Sequence, residues 1–501
     1  MTAGLLARST FHLHYGGAPR ESGSQSKLEV RSPATRELLA TVPNSNHDDV
    51  AAAAAAAAAA APGWAATQAG ERARLLRVLA ELLRNRMTDL AEVESAVTGR
   101  PIREMRAQMS RIPEWLEYFA GIILGLEGEA NHLKGGFLTY TSFEPYGVCA
   151  LLTPWNHPIL ILVKKLAAAL AAGNVCLIKP SELAPVSSLI LAELCCEAGL
   201  PAGTVNVVTG GAEVGRAVCA AEPVRHIDLT GGTETGRRVA AAAAERLVPC
   251  TLELGGKAPV IITEDADLQE AVAGATFAAF VAAGQTCVSG TRFLVAASRY
   301  EEFVDLLGAR AAALKVGDPA DLATDMGPVI SAAAQARCLD FIGATKTTGA
   351  RLVTGGRIPN NLPQALQHGF FVLPTVFADI NPQMRLFREE VFGPVVGAMP
   401  FRDEAEAIAL ANDTPFALGA AIWTKDVARA HRLAAALRAG VIWINDHHKN
   451  DPSSIWGGWG ASGYGKENGW DALKSYLKKK NIVVRTSPVF DDWFAGRGRY
   501  G

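Results

Sequence analysis

A change of rhythm at Gly147 constrains this chain more than any other feature. From there, short apolar runs (GVCALLT, VCLIKP, VNVVTG, RHIDLTG, CTLELGG, APVIIT) alternate with helical stretches over 157–172, 186–198 and 234–244. Parallel strands need a crossover and a helix supplies one, so the alternation predicts a doubly wound α/β sheet. A further helix over 266–283 leads into GQTCVSGTR, and the pattern restarts with RFLVAAS, a helix over 300–314, RLVTGG and AAIWT. A second α/β domain follows from that restart. The length of 501 residues agrees, because one hydrophobic core seldom serves more than roughly 250–300 residues. Ahead of the alternation, two amphipathic helices over 49–61 and 71–83 open the fold. In the second, Leu75, Leu76, Leu79, Leu82 and Leu83 keep helical spacing.

Composition excludes several function classes. A net charge of −2 gives no global attraction to nucleic acid or an anionic membrane. No sustained apolar h-region follows the short Gly4–Ala7 patch, and no run is long and apolar enough for a spanning helix; the alanine run over 51–61 is too weakly hydrophobic. The eight cysteines show no CxxC pair and no metal-ligand spacing, so no metal is expected. Free thiols in a reducing, cytoplasmic setting are the expectation.

Cys287, in GQTCVSGTR, lies on a small-residue turn after a long helix; the other seven cysteines read as embedded in helices or strands. A thiolate there is a nucleophile, and attack on a carbonyl creates an oxyanion that needs donors aimed at it. Backbone N–H groups of the turn are natural donors. Asn156, in LLTPWNHP, is a candidate to complete the hole, or alternatively a plain N-cap ahead of Pro158. Glu253, in TLELGGK, follows an apolar strand and precedes two glycines. It is either a solvated strand-end charge or a partly buried base of raised pKa. Lys179 and Glu182, in CLIKPSE, stand at a strand–helix junction suited to ribose hydroxyls, where the glutamate would repel a 2′-phosphate and favour NAD over NADP. Alternatively, this is a solvated turn. LTGGTETG is a Gly-rich turn opening a helix, an anion site or a common loop. Glu390 and Phe392, in REEVFGPVV, offer a carboxylate and a flat ring before a strand-like run.

Together TPWNHP, KPSE, LTGGTETG, LELGGK, GQTC, EEVFGPV and GYGKENG, in this order, resemble the aldehyde dehydrogenase superfamily over most of the chain. The resemblance implies a Rossmann-type cofactor domain over about 1–125 and 148–256 and an α/β catalytic domain over about 257–460. A small β oligomerisation unit would come from about 126–147 and 461–501. It implies Cys287 as nucleophile, Asn156 and the Cys287 amide as oxyanion hole, and Glu253 as general base, with Lys165 and Glu467 as a proton-relay pair. For the cofactor, NAD with NADP left open, it implies Trp155, Lys179, Ser181, Glu182, Gly215, Thr230, Gly231, Gly232, Glu390 and Phe392. A small-molecule aldehyde is the substrate, and assembly into a homodimer or homotetramer through the C-terminal strand is typical.

Departures from the family pattern sharpen the substrate question. His157 replaces an aromatic, and Lys164 stands where a bulky apolar residue is common. With Ile161, Val281 and Trp456 they would line a tunnel for an aromatic or medium-length aldehyde, His157 or Lys164 contacting a polar or carboxylate group on it. Alternatively, Lys164 points to solvent. Two alternatives are a CoA-acylating semialdehyde dehydrogenase, against which Glu253 argues, and a catalytically idle structural or binding member. The tail over 487–501, with Phe490, Trp493, Phe494 and Tyr500, is rich enough in aromatics to suggest packing on a neighbouring subunit.

Overall fold

The computed structural model describes residues 8–488 and 492–495. Among these residues the largest sheet has eight strands. Five are parallel: Val148–Thr153, Val175–Pro180, Val205–Val207, Val224–Thr230 and Cys250–Glu253. Their spatial order is third, second, first, fourth, fifth, a Rossmann-type winding. The order reverses between Val148–Thr153 and Val224–Thr230, which pair directly. Loops leaving the carboxyl ends of such a pair diverge and open a crevice. Every residue of Val148–Thr153 and of Val175–Pro180 is buried, which explains why these strands read as continuous apolar runs rather than alternating ones.

A second sheet of seven strands repeats the architecture. Ala258–Ile262, Gly290–Ala296, Thr375–Ala378, Val395–Phe401, Gly419–Trp423 and Val441–Ile444 run parallel, and Arg351–Thr354 pairs antiparallel at one edge. Two cores result. One gathers apolar residues from Phe11 to Leu254 and takes in Leu473, Tyr476 and Leu477; the other runs from Val260 to Trp456.

The helices do not open the fold. Four short strands precede them: Leu13–Tyr15, Ala18–Arg20, Lys27–Arg31 and Leu38–Pro43. Strands this short lack enough alternation to be read from sequence. The alanine-rich helix spans His47–Ala66, started by a reciprocal capping box between Asn46 and Asp49, and seats Ala53, Ala54 and Ala57 in the core.

The lysine-fenced run forms Leu477–Arg485 and pairs within the chain, antiparallel to Phe137–Pro145 along its whole length, with Ala130–Leu133 beyond. The seven cysteines other than Cys287 all lie within helices or strands, as expected, but not all of them are covered. Cys196 is exposed and Cys250 only partly covered, because both sit at element ends. Phe494 is exposed on a short turn over Trp493–Ala495, whereas Phe490, Tyr500 and the Gly4–Ala7 patch lie outside the described residues.

Candidate active site

Loops from the carboxyl ends of the first sheet, and segments leading into strands of the second, face one cavity of about 550 Å³. Its wall includes Trp155, Asn156, His157, Ile161 and Lys164 from the segment after Val148–Thr153, and Thr230, Gly231 and Gly232 from the end of Val224–Thr230. Glu253 closes Cys250–Glu253, and Val281, Cys287, Glu390, Phe392, Trp456 and Glu467 come in from the second half of the chain. Of the residues singled out from sequence, these line the cavity, whereas Lys165, Lys179, Ser181, Glu182 and Gly215 do not.

Cys287 is reached through strained backbone. The helix Leu268–Phe280 ends, and Ala282 and Ala283 both take φ of 54°, a left-handed conformation costing a non-glycine residue about 1–2 kcal/mol. Gln285 secures the turn: its Nε2 donates to Ala282 O at 3.0 Å and its Oε1 accepts from Ile330 N at 2.9 Å. Its own carbonyl accepts from Asn156 Nδ2 at 2.9 Å. Asn156 is thus no N-cap. His157 holds that position before Pro158–Ala171, without a side-chain capping bond. The other N–H of the Asn156 amide stays available two residues from the thiol. A Cβ on Gly256 would collide with the Cys287 carbonyl, and one on Gly457 with the Glu253 carboxyl, so glycine at both positions lets these segments close on the site.

Glu253 is buried, and neither carboxyl oxygen has a hydrogen-bond partner among the described residues. Burial, then the nearby negative charge of Glu467, pushes its pKa well above the usual carboxylate range. Burial, then Glu253 and Glu390, pushes the Cys287 thiol up to about 12. Both shifts favour the protonated forms.

Glu467 accepts from Lys165 at 2.5 Å through Oε1 and from Lys164 at 2.6 Å through Oε2. Burial alone would raise its pKa, but the two ammonium groups hold it at about 2. Lys165 also pairs with Asp228, which accepts from Tyr476 Oη at 2.5 Å. Lys165 lies behind the cavity wall and Lys164 on it. The alternative that Lys164 points to solvent is overturned: its side chain is 4% exposed and its Nζ sits 4.9 Å from the Trp456 ring centroid.

Lys179, Ser181, Glu182 and Gly215 form a separate cluster off the wall. Lys179 Nζ lies 3.6 Å from Glu182, and Gly215 packs beside its stem. Gly232 precedes the helix Thr233–Glu245 without a side-chain cap, leaving first-turn N–H groups for an anion. The Thr230 hydroxyl there is buried and unpartnered. Trp155 meets Phe392 edge to face at 5.5 Å, and Phe392 holds a φ of 57°. Glu390 accepts from Gly256 N at 2.9 Å, and burial lifts its pKa to about 7. First-turn amides and an aromatic pair on the cavity wall, with a cation–carboxylate pair off it, are groups that suit a dinucleotide.

Several wall residues have no signal in sequence. Arg100 pairs with Glu104 and donates to the Asn156 carbonyl at 3.1 Å and to His157 Nδ1 at 2.7 Å. Gln108, Arg111, Phe277, Arg337 and His448 also line the cavity. They arrive from distant segments with no chemistry-bearing motif around them.

A dinucleotide-type α/β crevice that brings a cysteine, an amide and a buried carboxyl onto one wall defines a class: nucleotide-linked oxidoreductases that work through a covalent thiol adduct. The comparisons narrow it. The family model described as aldehyde dehydrogenase family matches residues 20–482. The betaine aldehyde dehydrogenase of Brucella melitensis biotype 2 is 42% identical over 475 residues, 95% of this chain and 97% of that protein. PnpE from Pseudomonas sp. WBC-3 superposes with a TM-score of 0.94 at 38% identity, over 97% of this chain and 100% of that one. Betaine aldehyde dehydrogenase from Staphylococcus aureus, solved with NAD+, gives 0.95 at 35% identity over 98% of each chain. This chain belongs to the aldehyde dehydrogenase family.

Proposed function

We propose that this enzyme oxidises an aldehyde to the carboxylic acid with NAD, through an adduct on Cys287. The observation that carries the reading is that Cys287, Asn156 and Glu253 share one cavity with the dinucleotide crevice. The Cys287 thiol gives up its proton to solvent, and the thiolate adds to the carbonyl carbon as the C=O electron pair moves onto the oxygen. The oxyanion is met by the Asn156 N–H that Gln285 leaves free and by the Cys287 backbone N–H. NAD, when bound, supplies the hydride acceptor that takes the adduct to a thioester. Glu253 draws a proton from water as the water attacks the thioester; burial makes this carboxyl a stronger base once ionised. Lys165 and Glu467 carry the released proton along the buried ionic chain toward Asp228.

For the dinucleotide, Lys179, Ser181 and Glu182 would hold the adenosine ribose, with Gly215 leaving room beside them. Thr230, Gly231 and Gly232 would receive the pyrophosphate. Trp155, Glu390 and Phe392 would position the nicotinamide riboside. The S. aureus relative holds NAD+, and Glu182 disfavours a 2′-phosphate.

A cavity of this size takes a small or medium-length aldehyde. His157, Ile161, Lys164, Val281 and Trp456 would contact its tail. Relatives named for betaine aldehyde put a small aldehyde ahead of an aromatic one. The domain division given above, with the bridging segments joining subunits into a homodimer or homotetramer, is part of the same reading. All eight cysteines are free, which supports a cytoplasmic setting.

The test is NADH formation from an aldehyde panel, run with NAD and NADP in parallel and with and without CoA. Cys287→Ser should abolish turnover. Glu253→Gln should release about one NADH per site in a burst and then slow about 10²–10⁴-fold, since thioester hydrolysis loses its base. No NADH from any aldehyde, or an acyl-CoA product, overturns the reading.

A further inference from the structure

Trp456 presents an aromatic face to the cavity, and an aromatic face is what a quaternary ammonium group seeks. Here that face is taken. Two contacts fix its position. Trp456 and Glu467 exchange backbone hydrogen bonds in both directions at 2.8 Å, so ring and carboxylate form one unit. Trp443 packs edge-on against the Trp456 ring at 6.1 Å. Into this unit the helix Pro158–Ala171 inserts two consecutive lysines. Lys165 takes one carboxylate oxygen from behind the wall. Lys164 takes the other from the cavity side, with its ammonium over the Trp456 ring.

We propose that Lys164 occupies, from within the chain, the aromatic seat that a trimethylammonium tail would need, so that this active site discriminates against quaternary-ammonium aldehydes in favour of those with a neutral or anionic tail. This rests on the aldehyde-oxidising reading above and assigns its substrate class.

The other charged groups on the wall do not reverse the argument. Glu467 is already shared by two lysines. Burial pushes the Glu253 pKa up and that of Glu390 to about 7, which weakens both as counter-charges. Arg100, paired with Glu104, and Arg111, paired with Glu114, add cations to the same wall. Burial, then Arg100, keeps His157 neutral, and burial keeps His448 neutral. A trimethylammonium group seated on the Trp456 ring would meet the like charge of Lys164, with the adjoining Glu467 carboxylate already paired, the arrangement that rejects a wrong partner.

Betaine aldehyde and 3,3-dimethylbutanal separate charge from shape, because the second replaces the quaternary nitrogen by carbon. The purified enzyme with NAD should show kcat/KM about tenfold or more higher for 3,3-dimethylbutanal. Lys164→Gln leaves Glu467 its pairing with Lys165, and should move the ratio about tenfold or more toward betaine aldehyde. Lys164→Met, which fills similar volume without charge, should move it the same way. Preference of the unmutated enzyme for betaine aldehyde overturns the proposal. So does a ratio unmoved in both variants. Failure of every aldehyde to yield NADH overturns instead the function on which it rests.

Discussion

The chemistry of this site turns on two protons. Cys287 is lifted to about 12 by burial first and by Glu253 second, while Glu253 is lifted by burial and Glu467. Each group, when ionised, raises the cost of ionising the other. Removing the carboxylate should therefore move the thiol down. In peptide-resolved alkylation by iodoacetamide, Cys287 should react slowly at neutral pH and faster as pH rises. In Glu253→Gln the rise should occur at lower pH, only partly restored toward an ordinary thiol because burial remains. Superimposable profiles for the two proteins would show that Glu253 does not sense the thiol. Resolving peptides matters because Cys196 is exposed and reacts independently. At this scale the sequence exposed Cys287 through its glycine-flanked turn and Glu253 through the two glycines after it. It left open whether Asn156 capped a helix, because both roles use the same residue at the same strand–helix junction. The bond from Asn156 to the Gln285 carbonyl spans 129 residues, and no local pattern encodes such a contact.

Among elements, the helix Pro158–Ala171 matters most, since it carries Ile161, Lys164 and Lys165. Its first turn has orphan N–H groups that His157 does not cap. Glu94, on the helix Ala69–Thr98, fills that role from elsewhere: its Oε1 accepts from Ile159 N at 2.9 Å and from Ser187 Oγ at 2.6 Å. Its Oε2 is buried and unpartnered, and burial lifts its pKa to about 7. The folded state thus binds this proton more tightly than the unfolded chain does. The resulting stabilisation is complete below the ordinary carboxylate pKa and is lost as pH climbs toward 7. Glu94→Gln keeps the acceptor but cannot ionise. Its melting temperature relative to the unmutated protein should increase from pH 5 to about pH 7 and level off above it. A constant difference across that range would mean that Glu94 does not titrate there. Long helices and buried strands were legible in sequence, because their periodicity or unbroken apolar character extends far enough to stand out. Leu13–Tyr15 and Ala18–Arg20 were not, since three residues at a sheet edge draw their form from the neighbouring strand.

For the whole molecule, the doubly wound pattern announced two α/β units, but the sequence left the partner of Leu477–Arg485 open. Pairing with Phe137–Pro145 joins residues more than 300 positions apart, and strand register over such a span depends on tertiary context. The resulting three-stranded sheet touches the first core only at one end, through Leu477 and Phe143. Tyr140 and Val484, at registers of one face, are 40% and 42% exposed, while Leu133 and Val483, at registers of the other, are 47% and 53% exposed. Leu477–Arg485 is also the outer strand of this sheet, so one backbone edge lacks a neighbouring strand among the described residues. Apolar side chains on both faces beside an open edge are a liability in a lone chain and an asset in an assembly. If this sheet joins subunits, charges placed on it should separate them while leaving each subunit's cores intact. Val483→Asp combined with Val484→Asp should shift the sedimentation coefficient from that of an oligomer to that of a single chain, with far-ultraviolet circular dichroism unchanged. Deleting residues 488–501 isolates the aromatic tail: loss of assembly there would assign the contact to the tail instead of the strand. An oligomer that withstands the double substitution would remove this sheet from the interface.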